Sequence, residues 1–206
     1  MIDGPFGSNL KTSHYVPDPG VRVVRLQNIG SGAYRDSDRA FIPSEYALKL
    51  NRYRVVGGDL LIASLGDDNH PVGRACCYPQ DLPDAINKAD CFRFRANKLC
   101  RNDFIMHSMN HEGARHQVRG FEQGVTMKRM NLGNLRRLRL AVPPLPEQER
   151  ICDRLAAADK IIAIERDKLE KLKLVQAALA DDLLTGRVSV IPLLADAPAN
   201  ELEGAG

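Results

Sequence analysis

The chain has 206 residues, 27% of them charged and 44% hydrophobic, with a formal net charge of +3. That length supports one sizeable core and a further small element, and no apolar run approaches the roughly 20 residues needed to span a bilayer. The start, Met1-Ile2-Asp3-Gly4-Pro5, has neither the basic nor the apolar stretch of a secretory signal, so a soluble, cytoplasmic protein is expected.

The first 144 residues carry 21 Lys and Arg against 14 Asp and Glu, a net +7, whereas residues 145–206 carry 8 against 12, a net −4. A basic globular part points to an anionic partner such as nucleic acid. Within it, short apolar runs between turn residues predict a mixed, strand-rich domain. Val21 to Leu26 alternates partly at period two, and Asp59 to Ser64 is a continuous apolar strand after Gly57-Gly58. Val72 to Tyr78 reads as its neighbour across a hairpin loop, Gly66-Asp67-Asp68-Asn69-His70-Pro71, and Cys91 to Arg95 as a further strand. Ser44 to Leu50 reads as a short helix and Asp103 to Arg119 as one longer helix, capped by Asn102 or Asp103.

At Pro143-Pro144-Leu145-Pro146, three prolines in four residues stiffen the chain ahead of a helix predicted from Glu147 to Thr185 and stopped by Gly186. Steps of four and three residues join Ile151, Leu155, Ala158, Ile162, Glu165, Leu169, Leu172, Gln176, Leu179 and Leu183. Eight of these ten are apolar, as in a coiled-coil seam. Ala156, Ala163, Ile164 and Ala177 widen the apolar face beyond what a two-stranded zipper uses, and Asp153, Arg154, Lys160, Arg166 and Lys168 occupy the opposite side. Such a helix either lies on its own domain or pairs with a partner. Its length, greater than the diameter expected of a core of about 140 residues, favours the partner. Residues 188–206 read as a short strand and a disordered tail, since Ala195 to Gly206 has no core-forming pattern.

No nucleotide, dinucleotide, nucleophile-elbow or zinc-peptidase motif occurs, and Asp67, Asp68, Asn69 and His70 read as a polar hairpin tip ahead of a hydrolytic or metal site. Cys76, Cys77, Cys91, Cys100 and Cys152 contain no Cys-x-x-Cys pair and no histidine at ligand spacing, which predicts reduced structural thiols. A non-catalytic chain is expected, with a stand-alone nuclease the least favoured alternative.

Several segments together resemble the specificity subunit of type I restriction-modification enzymes, as one target recognition domain followed by one spacer helix. They are Asp3 to Ser8, Val24 to Ile29, Gly58 to Ala63, Val72 to Ala75, the Pro143 to Ile151 junction and Asp182 to Val188. The resemblance implies an α+β fold: a DNA target recognition domain over 1–144, a coiled-coil-forming spacer or dimerisation helix over 145–187, and the tail over 188–206. It implies that the domain reads one half of a split double-stranded DNA site and that paired helices set the gap between half-sites. It places catalysis on an adenine-methyltransferase subunit using S-adenosylmethionine and a nuclease-translocase subunit using ATP, so that this chain binds no cofactor itself. Members of the family usually hold two recognition domains and two spacers, whereas one of each is visible here. A homodimer or a second specificity half is therefore expected, and a non-functional fragment or a coiled-coil interaction module of a split gene is the alternative.

Base readout requires side chains capable of paired hydrogen bonds on loops that reach a groove, with Lys or Arg nearby for phosphates. The candidates are Asn9, Lys11, Ser13 and His14; Gln27, Asn28 and Arg35; Asn69, His70 and Arg74; and Gln123, Thr126, Lys128 and Arg129. Gln27 and Asn28 serve equally well as turn groups. For a partner helix the candidates are Ile151, Leu155, Ile162, Leu169, Leu172, Leu179 and Leu183.

Overall fold

The computed structural model describes residues 1–189, so all but the first two residues of the short strand and tail expected over 188–206 lie outside the described residues. Two compact units are present, Met1–Asp153 and Arg154–Gly206. In the first, one sheet runs in the order β1 (Ile2–Asp3), β9 (Cys91–Phe94), β5 (Leu60–Ala63), β7 (Ala75–Cys77), all antiparallel. A second runs β3 (Phe41–Ile42), β2 (Val21–Val24), β8 (Ala85–Asn87), β4 (Arg54–Val55), with β2 and β8 parallel. A two-stranded ribbon pairs β6 (Leu65–Gly66) with β10 (Lys128–Arg129). The helices are α1 (Ser44–Lys49), α2 (Asn102–Asn110), α3 (Glu112–Arg119), α4 (Leu132–Leu135) and α5 (Leu145–Leu184).

The continuous apolar run at β5 follows from burial on both faces. Leu60 and Ile62 join Phe92, Phe104, Met109 and Val118 under the helices, while Leu61 and Ala63 join Val24, Val55 and Ala85 of the second sheet. On the far face of that sheet, Val23, Ile42 and Ile86 pack with Ala47 of α1 and with Leu50. Each large side chain so buried stabilises the fold by about 1.5 to 3 kcal/mol.

The single helix expected over Asp103 to Arg119 is two. Asn110 turns its amide onto β7, donating to the Ala75 carbonyl at 2.7 Å and accepting from the Ala75 amide at 3.0 Å. His111 then leaves the helical region (φ −75°, ψ 150°), and its Nδ1 accepts from Gly113 to start α3. A strong tertiary bond thus interrupts a pattern that local propensity alone would continue. The expected caps are also corrected. Asn102 is the first helical residue, and its amide instead donates to Gly58 O at 2.6 Å and accepts from Ala96 N at 2.9 Å.

Helix α5 begins where the proline junction predicts, but the first unit runs on to Asp153 because Gln148 and Cys152 are buried in it. Gln148, with no exposed surface, accepts from Arg101 N at 2.9 Å and donates to Leu99 O at 2.9 Å and Pro143 O at 2.7 Å. Ile151, expected in the partner seam, is half-buried and packs on the same core as Cys152. Within the second unit the expected seam is open at Leu155, Ile162, Leu169, Leu172 and Leu179, which are 39% to 59% exposed, whereas Leu183 is half-buried. Gly186 (φ +71°) ends the helix, and Arg187 folds back onto Asp181 at 2.6 Å and Asp182 at 3.0 Å.

Candidate nucleic-acid interface

Three loops of the first unit meet around a cleft of about 230 Å³ whose lining includes Gln27, Arg35, His70, Arg74 and Met127. Arg74 is the stitch. Its guanidinium donates to Leu26 O (3.0 Å), Ile29 O (2.7 Å), Leu65 O (3.0 Å) and His70 O (3.0 Å), carbonyls from two of the loops. Burial lowers its pKa, and only 5% of its surface is exposed. The proposed base contact at Arg74 is therefore corrected: the group is committed to main-chain carbonyls, as buried donors must be. Asn28 is corrected for the same reason. Fully buried, it donates to Arg35 O (2.8 Å) and Asp38 O (2.7 Å) and accepts from Arg25 N (2.9 Å), fixing the loop that displays Arg35.

The third loop is delivered by main chain. Lys128 pairs with Gly66 and Arg129 with Leu65 in the β6–β10 ribbon. A Cβ on Gly66 would lie 2.2 Å from His70 O, so only glycine lets the hairpin close beneath the ribbon. Gln123 and Arg129 exchange both main-chain hydrogen bonds (2.9 and 2.8 Å), which closes a tip of Gly124, Val125, Thr126 and Met127.

Acidic groups near the cleft have local partners. Asp67 Oδ1 accepts from His70 N (2.7 Å) and Asn69 N (2.9 Å), and these bonds hold its carboxyl below the usual carboxylate range. Asp68 pairs with Lys128 at 2.7 Å and Asp90 with Arg129 at 2.8 Å, so both cations already have partners. Gln27, Arg35, Asn69 and Thr126 are exposed, and no hydrogen bond or ion pair holds their side chains among the described residues. Two amides, a guanidinium and a hydroxyl held free on a fixed main chain are the chemistry of base-edge recognition: amides pair with adenine and guanidinium with guanine.

The first candidate segment does not line this cleft. Tyr46 Oη of α1 donates to Asn9 O at 2.6 Å, the His14 and Tyr46 rings stand 4.6 Å apart, and Lys11 N donates to His14 Nδ1 at 3.2 Å. Asn9, Lys11, Ser13 and His14 thus form a separate patch beside α1. Two apolar residues of the third loop went unnoticed in the sequence: Val125 is 91% and Met127 53% exposed. The signal lay in their position, between Gly124 and the basic pair Lys128-Arg129, where no core can claim them.

All five cysteines are free thiols; burial pushes Cys76 and Cys77 up to about 12 and Cys152 up to about 11, so they stay protonated. Among the described residues no His, Cys, Asp and Glu group of three gathers to hold a metal, and no helix is long and apolar enough to cross a membrane.

Residues 19–174 match the family model of the type I restriction modification DNA specificity domain. The specificity subunit of the type I restriction enzyme MjaVIII from Methanocaldococcus jannaschii is 23% identical over 204 residues, covering 92% of this chain and 45% of that protein. The fold is shared with two solved structures. A chain from a study of complex assembly and conformational transition in a type I R-M system has a TM-score of 0.60 at 16% identity, over 88% of this chain and 42% of its own. The HsdS subunit of Thermoanaerobacter tengcongensis has a TM-score of 0.54 at 22% identity, over 80% and 44%. The chain spans less than half the length of the curated relatives it matches. By the family match over most of its length, the chain belongs to the type I restriction-modification DNA specificity domain family.

Proposed function

We propose that this chain is one recognition half of a type I specificity subunit, reading one half-site of duplex DNA through the loops around the cleft. The observation that carries this is the pair of unpaired side chains, Gln27 and Arg35, lining one cleft, with exposed Asn69 and Thr126 on the adjoining loops, all on a main chain fixed by Arg74, Asn28 and the β6–β10 ribbon. The exposed seam of α5 fits a second recognition half, either a second copy or a separate chain, and its alanine-rich flank at Ala156, Ala163, Ile164 and Ala177 fits a methyltransferase subunit. The chain itself is non-catalytic and acts in the cytoplasm. S-adenosylmethionine belongs to the adenine-methyltransferase subunit and ATP to the nuclease-translocase subunit.

The test begins by enriching a random duplex pool on the full chain together with its methyltransferase subunit. Affinity for the enriched duplex should fall with salt, with a logarithmic slope of about −0.9 per phosphate contacted. Arg35→Ala should weaken that duplex by about tenfold or more, the usual worth of one bidentate base contact, and leave unselected duplex unchanged. Salt-independent affinity, or no enriched sequence, overturns the proposal.

A further inference from the structure

Val125 and Met127 stand exposed at the tip of the 123–129 loop, which nothing in the packing of the first unit explains. The geometry points to a specific role for them: they form the apolar part of the readout surface and contact the 5-methyl group of a thymine in the major groove. The inference rests on the DNA-recognition reading above and deepens it.

Four observations carry it. The tip is held from below and not from its own side chains: Gln123 and Arg129 close it by main-chain bonds, and the ribbon fixes it beside β6. Gly124 adopts φ +103°, and a Cβ there would lie 2.3 Å from Met127 O, so only glycine allows the tight turn that carries Val125 to Met127. Met127 also lines the cleft that holds Gln27 and Arg35, so the apolar group and the unpaired polar groups address the same ligand. Arg35, an unpaired cation lining the same cleft, suits an anionic partner better than an apolar protein groove. Within duplex DNA the exposed apolar group of the major groove is the thymine methyl, and apolar side chains distinguish it by burying it. Exposed valine and methionine on a loop that would otherwise be polar are matched to that target.

The thymine methyl can be removed without altering any hydrogen-bonding group by placing deoxyuridine at a thymine position. The enriched duplex would be remade with each thymine replaced in turn, and binding measured for the full chain with its methyltransferase subunit. The expected result is one thymine in the half-site whose replacement weakens the unaltered protein about three- to fivefold. The Val125→Ala/Met127→Ala variant should bind thymine and uracil at that position equally while keeping its preference at the other positions. Both substitutions lie on exposed positions, and an unchanged thermal midpoint would show that the domain is intact. Uniform tolerance of uracil, a half-site without thymine on either strand, or uracil sensitivity that persists in the double variant would overturn this assignment and leave DNA recognition standing. Failure to enrich any sequence would overturn the recognition reading, and this assignment with it.

Discussion

At the residue scale, two arginines of one cleft have opposite fates. Arg74 is enclosed among carbonyls and builds the loops, whereas Arg35 is exposed and unpaired on a loop that Asn28 holds. Composition names both as cations; only burial separates them. A third charged residue reports on the domain through pH. Burial raises the carboxyl of Asp3 from 3.8 to about 6, outweighing the hydrogen bond from Gly4 N, and nearby Asp90 adds to the shift. The folded state therefore holds a proton that the unfolded chain releases. The stability this contributes is complete below the ordinary carboxylate value and is lost as pH rises through about 6. The thermal midpoint should drop by about 2 to 4 °C between pH 4 and pH 7 relative to Asp3→Asn, which keeps an acceptor for Gly4 N. Parallel pH profiles for the two proteins would count against it.

Elements differ in how much of themselves the sequence discloses. Helix α5 was legible almost to its ends because its signals are local: prolines before it, seam spacing within it, Gly186 after it. Strands β5, β7 and β9 were legible as apolar runs, but not the parallel pairing of β2 with β8, which joins segments distant in sequence. The break between α2 and α3 was hidden too, because its cause, the clamp of Asn110 on Ala75, is tertiary. Of the candidate residues, pattern placed Gln27, Arg35, Asn69 and Gln123 to Arg129 on exposed loops, and it did not disclose that Asn28 and Arg74 are buried. Asn28 and Arg74 have the right chemistry for DNA, and their use in the scaffold depends on burial that one-dimensional pattern does not carry. Gln148 illustrates the same limit within the Pro-Glu-Gln-Glu-Arg junction, where it reads as an ordinary first-turn polar residue. Gln148→Leu would leave Arg101 N, Leu99 O and Pro143 O without their partner. Chemical denaturation should show a loss of about 2 to 4 kcal/mol, well above a surface substitution. A change below about 0.5 kcal/mol would mean that water replaces the clamp without penalty.

For the whole molecule, the second unit carries an apolar seam whose large side chains would each gain about 1.5 to 3 kcal/mol on full burial. Self-association by antiparallel pairing of α5, with two-fold symmetry matching an inverted DNA repeat, follows from the proposed function. Light scattering at tens of micromolar should give a dimer, and a monomer would sink the homodimer. Removing seven residues within 158–179 shortens a helix by about 10 Å, so the tolerated gap between half-sites should contract by about three base pairs with the half-site bases unchanged. Altered half-site bases with an unchanged gap would mean that the helix does not measure distance.

The frame of the loops around the cleft is main chain: the β6–β10 ribbon, the paired bonds of Gln123 and Arg129, and carbonyls gathered by Arg74. The side chains at 27, 35, 69 and 125–127 contribute little to that frame, so exchanging them changes stability by no more than the roughly 0.5 kcal/mol usual for surface positions. If these side chains read DNA as proposed, a new target sequence becomes reachable one substitution at a time, through intermediates that all remain folded.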